Sequence, residues 1–108
     1  MSVPFPWFIK FFWMMFGHAL MDYALQPDFI AKGKNRHTPI PGVPWYYIMA
    51  SHALLHAGMV GLFTGNMWFA VAELVLHFGI DCLKCEGMIN IHCDQAAHTA
   101  CKLAWAIF

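Results

Sequence analysis

The chain has 108 residues, enough for one domain and too few for two. Hydrophobic residues make up 60% of it and Asp, Glu, Lys and Arg only 11%, about half the charged share of an ordinary soluble domain, so the composition points to lipid rather than water as the surrounding medium. Six basic side chains balance six acidic ones, which leaves no basic excess to attract nucleic acid.

The first apolar stretch, Pro4 to Leu25, is close to the ~20 residues a bilayer-crossing helix needs. Pro4 and Pro6 sit where a first helical turn tolerates proline, and Pro27 closes the span. Lys10 lies inside the apolar run, and Asp22 stands where a small-residue cleavage motif would be, so the stretch reads as a retained span rather than a signal peptide. The only long connection, Gln26 to Val43, carries Lys32, Lys34 and Arg36 and reads as a solvated loop that sets topology. A headgroup-binding role for those three is the alternative.

No formal charge occurs from His37 to Ala72. Three further spans follow at Pro44 to Phe63, Asn66 to Leu83 and Met88 to Phe108, punctuated by Gly65 and Gly87. The expected fold is therefore all-α, a single four-helix transmembrane bundle. A soluble four-helix bundle is the competing reading, but no solvated polar stripe can be drawn on spans two to four. The positive-inside rule puts Lys32, Lys34, Arg36 and Lys84 in the cytoplasm and both termini on the outer side. Trp45, Tyr46 and Tyr47 then fall in the inner aromatic belt, with Trp7, Trp68 and Trp105 on the outer side. Ala53, Ala57 and Gly61 recur every four residues, as do Ala96, Ala100 and Ala104, and such seams allow close helix packing in a membrane.

Every span carries ionisable residues four apart: His18 and Asp22, His52 and His56, His77 and Asp81 with Glu73 one turn earlier, and Asp94 and His98. A spacing of four places both side chains on one helix face. At ~1.5 Å per residue, all eight lie between the inner membrane face and the midplane. A lipid-embedded Asp costs on the order of 3 kcal/mol and persists when paired or bound. Metal-free His/Asp pairs that hold the bundle or relay protons are one outcome. A metal site formed by His18, Asp22, His52, His56, His77, Asp81, Asp94 and His98 is the sharper one. Imidazole plus carboxylate suits Zn, with Fe or Mn as alternatives, and eight donors exceed one tetrahedral ion, so a two-metal centre is expected. Some of the eight are expected as outer carboxylates that orient a ligating imidazole.

The four cysteines (Cys82, Cys85, Cys93, Cys101) are too few for a disulfide scaffold and read as reduced thiols. Cys82-x-x-Cys85 with His92 and Cys93 lacks the second C-x-x-C of a zinc ribbon. His37 and His92 lie near the membrane edge and read as surface residues.

The segments His18-Ala-Leu-Met-Asp22-Tyr-Ala-Leu-Gln26, Ser51-His-Ala-Leu-Leu-His56, His77-Phe-Gly-Ile-Asp81-Cys-Leu-Lys84 and Asp94-Gln-Ala-Ala-His98 together resemble a domain-of-unknown-function family of small multi-span membrane proteins found largely in bacteriophages and bacteria. The likeness covers about Phe16 to Ala100 and implies an inner-membrane helical protein. More loosely, the His/Asp-bearing helices are similar to membrane-bound metal-dependent hydrolases related to phospholipase C. The expected activity is metal-dependent hydrolysis of a lipid phosphoester or similar amphiphile, with Asp81, Asp94 and Glu73 as the catalytic carboxylates. Two alternatives stand beside it: metal-ion or proton conduction along the His/Asp column, and a non-enzymatic phage membrane factor acting on the host envelope. Membrane lipid is the expected partner, with self-association left open.

Overall fold

The computed structural model describes residues 5–24 and 26–108. Pro4 and Leu25, the expected ends of the first span, lie outside the described residues. Helix α1, Trp7–Ala19, starts after Pro6 and runs directly into a π-helical turn, Leu20–Ala24. Helix α2 is Asp28–Gly33, α3 Trp45–Thr64, α4 Met67–Cys85 and α5 Ile91–Ile107. Among the described residues there are five helices and no strand.

Local chemistry accounts for most of these boundaries. Pro44 stands at the N-cap of α3, and the helix ends where Gly65 adopts φ 67°, a left-handed conformation that glycine enters without a Cβ penalty. The Asn66 side chain then accepts from the backbone N–H of Trp68 and Phe69 to open α4, and Asn90 accepts from Cys93 N–H to open α5. The last helix starts at Ile91, inside the stretch expected from Met88, because this cap sets its first turn.

The connection from Gln26 to Val43 is not an irregular loop throughout. Pro27 fixes the entry to α2, Asp28 sits in its first turn where the helix dipole favours a carboxylate, and the six-residue helix packs on α3. A segment that short carries no readable periodicity. Outside α2, Arg36 forms a two-pronged ion pair with Glu86, and His37 Nε2 lies 3.0 Å from the same carboxylate, so the connection is clasped to the turn between α4 and α5. Hydrogen bonds from Arg36 and then His37 hold the Glu86 carboxyl down at about 2. The clasp's contribution is therefore complete above the ordinary carboxylate pKa and is lost as pH falls from there through about 2.

The long helices pack antiparallel, with α3 against α4 as the largest interface. Ala53 and Ala57 are buried, and a Cβ at Gly61 would sit 3.2 Å from that of Ala70, so the first small-residue seam does bring helices close. The second seam is not used this way. Ala96 and Ala100 are exposed, because α5 turns Asp94, His98, Lys102 and Ala106 inward instead. Ala53→Leu should accordingly cost about 1–3 kcal/mol by overpacking, while Ala100→Leu should stay within about 0.5 kcal/mol. Thermal unfolding of the two variants in detergent checks this, and equal midpoints would refute the seam.

The interior is polar and the exterior apolar. Among the described residues, twelve polar or charged side chains are buried against nine apolar ones. Phe8, Phe12, Phe16, Leu54, Leu62, Trp68, Val75 and Leu103 are among the large hydrophobics left exposed. Among the described residues one helix, Trp45–Thr64, is long and apolar enough by length and composition to cross a membrane, where four spans are expected from the sequence. Helix α1 has 13 residues and α5 has 17, and α4 carries three charged side chains, Glu73, Asp81 and Lys84.

Candidate metal centre

Antiparallel packing stacks the inward residues in layers, one helical turn apart. Nearest the end carrying α2 lie Asp22, His52, Asp81 and Asp94, and a turn deeper lie His18, His56, His77 and His98. The imidazoles of the second layer pack face to face: His56 and His77 have ring centroids 3.8 Å apart, and His77 and His98 4.1 Å. His18 closes the layer at 5.4 Å from His56 and 5.6 Å from His98. A further turn on, Glu73 forms an ion pair with Lys102. All eight residues expected as ligands are thus brought together, and all are buried.

Two groups of these side chains offer donor atoms within 4.8 Å of one another and can hold a metal ion: Asp22, His52, His56 and His77, and separately His77, Asp81 and His98. Asp22 owes its place to the π-helical turn, a widening of the helix that recurs at functional sites. Its Oδ1 lies 3.2 Å from His52 Nε2 and 2.8 Å from His56 Nε2. His77 has no exposed surface and neither of its ring nitrogens has a hydrogen bond. A buried imidazole in that state loses the solvation of both nitrogens unless a cation or proton partner takes up the lone pair.

His18 and Asp94 fall outside both groups. His18 Nε2 lies 2.9 Å from Gln95 Oε1 and 3.3 Å from Asp22 Oδ2. Gln95 Nε2 in turn donates to Asp22 Oδ2 at 3.2 Å and to Asp94 Oδ2 at 3.0 Å, so Gln95 ties α5 to α1 through the carboxylates. Asp94 Oδ1 lies 3.2 Å from His98 Nε2. His18 and Asp94 thus contact members of the two groups, Asp22 and His98, an arrangement common around metal-binding imidazoles. Glu73 occupies a comparable position, 3.9 Å from His77 Nδ1 on the side away from Asp81.

Three participants carry no sequence expectation as part of the site. Lys34 is buried and its Nζ donates to Asp81 Oδ2 at 2.7 Å, which corrects the reading of that loop as wholly solvated. Lys102 and Gln95 are the others. A signal for Lys102 was present, since it continues the four-residue repeat of Asp94 and His98 just as Glu73 begins that of His77 and Asp81. Lys34 carries no such signal. His37 and His92 are exposed, and all four cysteines are free thiols that join neither metal-compatible group.

Comparison with protein-family models, curated protein sequences and solved structures finds no match to this chain.

Proposed function

We propose that the protein is a multi-pass membrane metalloprotein whose buried His/Asp centre hydrolyses a lipid phosphoester or related amphiphile. One observation carries the reading. The Asp22, His52, His56 and His77 group adjoins an open apolar groove of about 360 Å³ between α2 and α3, walled by Phe29, Ile30, Tyr47 and Leu55, that reaches His52. Its volume is in the range of small-molecule sites, roughly 300–1,000 Å³.

The apolar exterior supports the membrane setting, since an exposed apolar surface this broad calls for a lipid or protein partner. At ~1.5 Å per residue, the 20 residues of α3 cover ~30 Å, the thickness of a bilayer's hydrocarbon core. With Lys32, Lys34, Arg36 and Lys84 on the cytoplasmic side, the groove lies at the level of the inner headgroups.

Three imidazoles and one carboxylate form a donor set suited to Zn, and a divalent ion there supplies a Lewis acid and a water of lowered pKa. The chain's own groups do the rest. The apolar walls hold the acyl part of the amphiphile. His98, its Nε2–H held by Asp81 Oδ1 at 3.3 Å and Asp94 Oδ1 at 3.2 Å, keeps Nδ1 free to take a proton as water adds to phosphorus and to return it to the alcohol oxygen as that bond breaks. Conduction across the membrane has less support. Around and beyond Lys102 the interior is filled by Met14, Val60 and Ala106, flanked by Phe11, Phe63, Phe69 and Trp105.

Wild type and Asp81→Asn, reconstituted with Zn in anionic phospholipid vesicles, test the reading when lipid products are followed by mass spectrometry. Product formation should fall by about 100-fold or more in the variant, the usual scale of general acid–base catalysis. Zn-loaded wild type that releases no product would overturn the hydrolase.

A further inference from the structure

His77 belongs to both metal-compatible groups, yet it can serve one ion. Its Nε2 has a single lone pair, and its Nδ1 faces Glu73. With His77 committed to Asp22, His52 and His56, the other group keeps only Asp81 and His98, too few donors for a second tetrahedral ion. Lys34 stands at that place. Its ammonium is 2.7 Å from Asp81 Oδ2, while His98 Nε2 lies 3.3 Å from Asp81 Oδ1, so both carboxylate oxygens are engaged.

The backbone holds Lys34 there from two sides. A Cβ on the preceding residue, Gly33, would collide with Ile48 Cδ1 and come within 2.8 Å of Ile40 Cδ1, so α2 ends in close contact with α3. Two residues later, Arg36 begins the clasp to Glu86.

We infer that the centre is mononuclear and that the Lys34 ammonium, held on Asp81, stands in the place of a second metal ion. The inference rests on the metal reading above and narrows it to one ion. It replaces the two-metal expectation drawn from the number of donors.

The test is Co²⁺ titration of chelator-stripped full-length protein in detergent, read by visible absorption and native mass spectrometry, for wild type and Lys34→Glu. Wild type should saturate at one ion per chain with tetrahedral bands. Lys34→Glu, which exchanges the ammonium for a carboxylate opposite Asp81, should take up a second. A wild type that binds two ions overturns the inference while leaving the metal reading intact, as does a folded Lys34→Glu protein that stays at one. A wild type that binds none refutes the metal reading itself. Should the variant not fold, the wild-type stoichiometry still decides between one ion and two.

Discussion

His77→Ala protein, purified in mild detergent without chelator, should carry almost no transition metal, whereas the wild type should carry one equivalent. His77 is common to both metal-compatible groups and its ring nitrogens have no hydrogen bond, so its loss removes a donor from either arrangement and gives nothing in exchange. The fall in affinity should exceed the ~10–100-fold typical of losing an outer partner of a ligand. His92→Ala, on the exposed face of α5, should retain full occupancy and serves as the control. Metal content by atomic emission is the readout, and the same samples give a second one. An ion present at about 100 times its Kd stabilises the folded state by about 2.7 kcal/mol, so chelator should lower the unfolding temperature of the wild type and leave that of His77→Ala unmoved. Full metal occupancy in His77→Ala would remove the centre as drawn.

The other large effect concerns the pair one turn deeper. Lys102 and Glu73 are both fully buried and form an ion pair with each other. Lys102→Met should destabilise the bundle by about 3–5 kcal/mol, because it strands a carboxylate with no counter-charge in the interior. Adding Glu73→Gln to Lys102→Met should restore most of that loss, since a neutral pair has no ionic desolvation to offset. The restored double variant should still bind metal more weakly, by about 10–100-fold, if Glu73 orients His77 through Nδ1. Denaturation in detergent across the double-mutant cycle measures the first effect and metal titration the second. A Lys102→Met protein as stable as the wild type would mean that the charge reaches water.

Much of the helical framework is written locally. Pro44, Gly65 and Asn66 act on their own neighbouring backbone, so the limits of α3 and the start of α4 can be read without knowing what they pack against. The same is true of the repeat that sets His52 and His56, or His77 and Asp81, on one face of a helix, because a four-residue spacing fixes direction within the helix itself. Burial of all eight His and Asp residues follows from that periodicity once the marked faces turn toward one another.

Which of the eight converge is another matter. It depends on the register between antiparallel helices, and that register is a property of packing. Only there do Asp22, His52, His56 and His77 become one donor group while His18 and Asp94 are turned to Gln95. The π-helical turn that aims Asp22 is equally invisible in a periodic pattern, since it is a local departure from it. Ala96 and Ala100 repeat like a packing seam but face outward, because the charged side chains of α5 have the stronger demand for the interior. Lys34 is the plainest case. In the sequence it is one of three basic residues on a connection, and nothing in its neighbours distinguishes it from Lys32 or Arg36. The seating of α2 against Ile40 and Ile48 carries its ammonium to Asp81, because the reach of a loop side chain is set by where the chain is anchored in three dimensions.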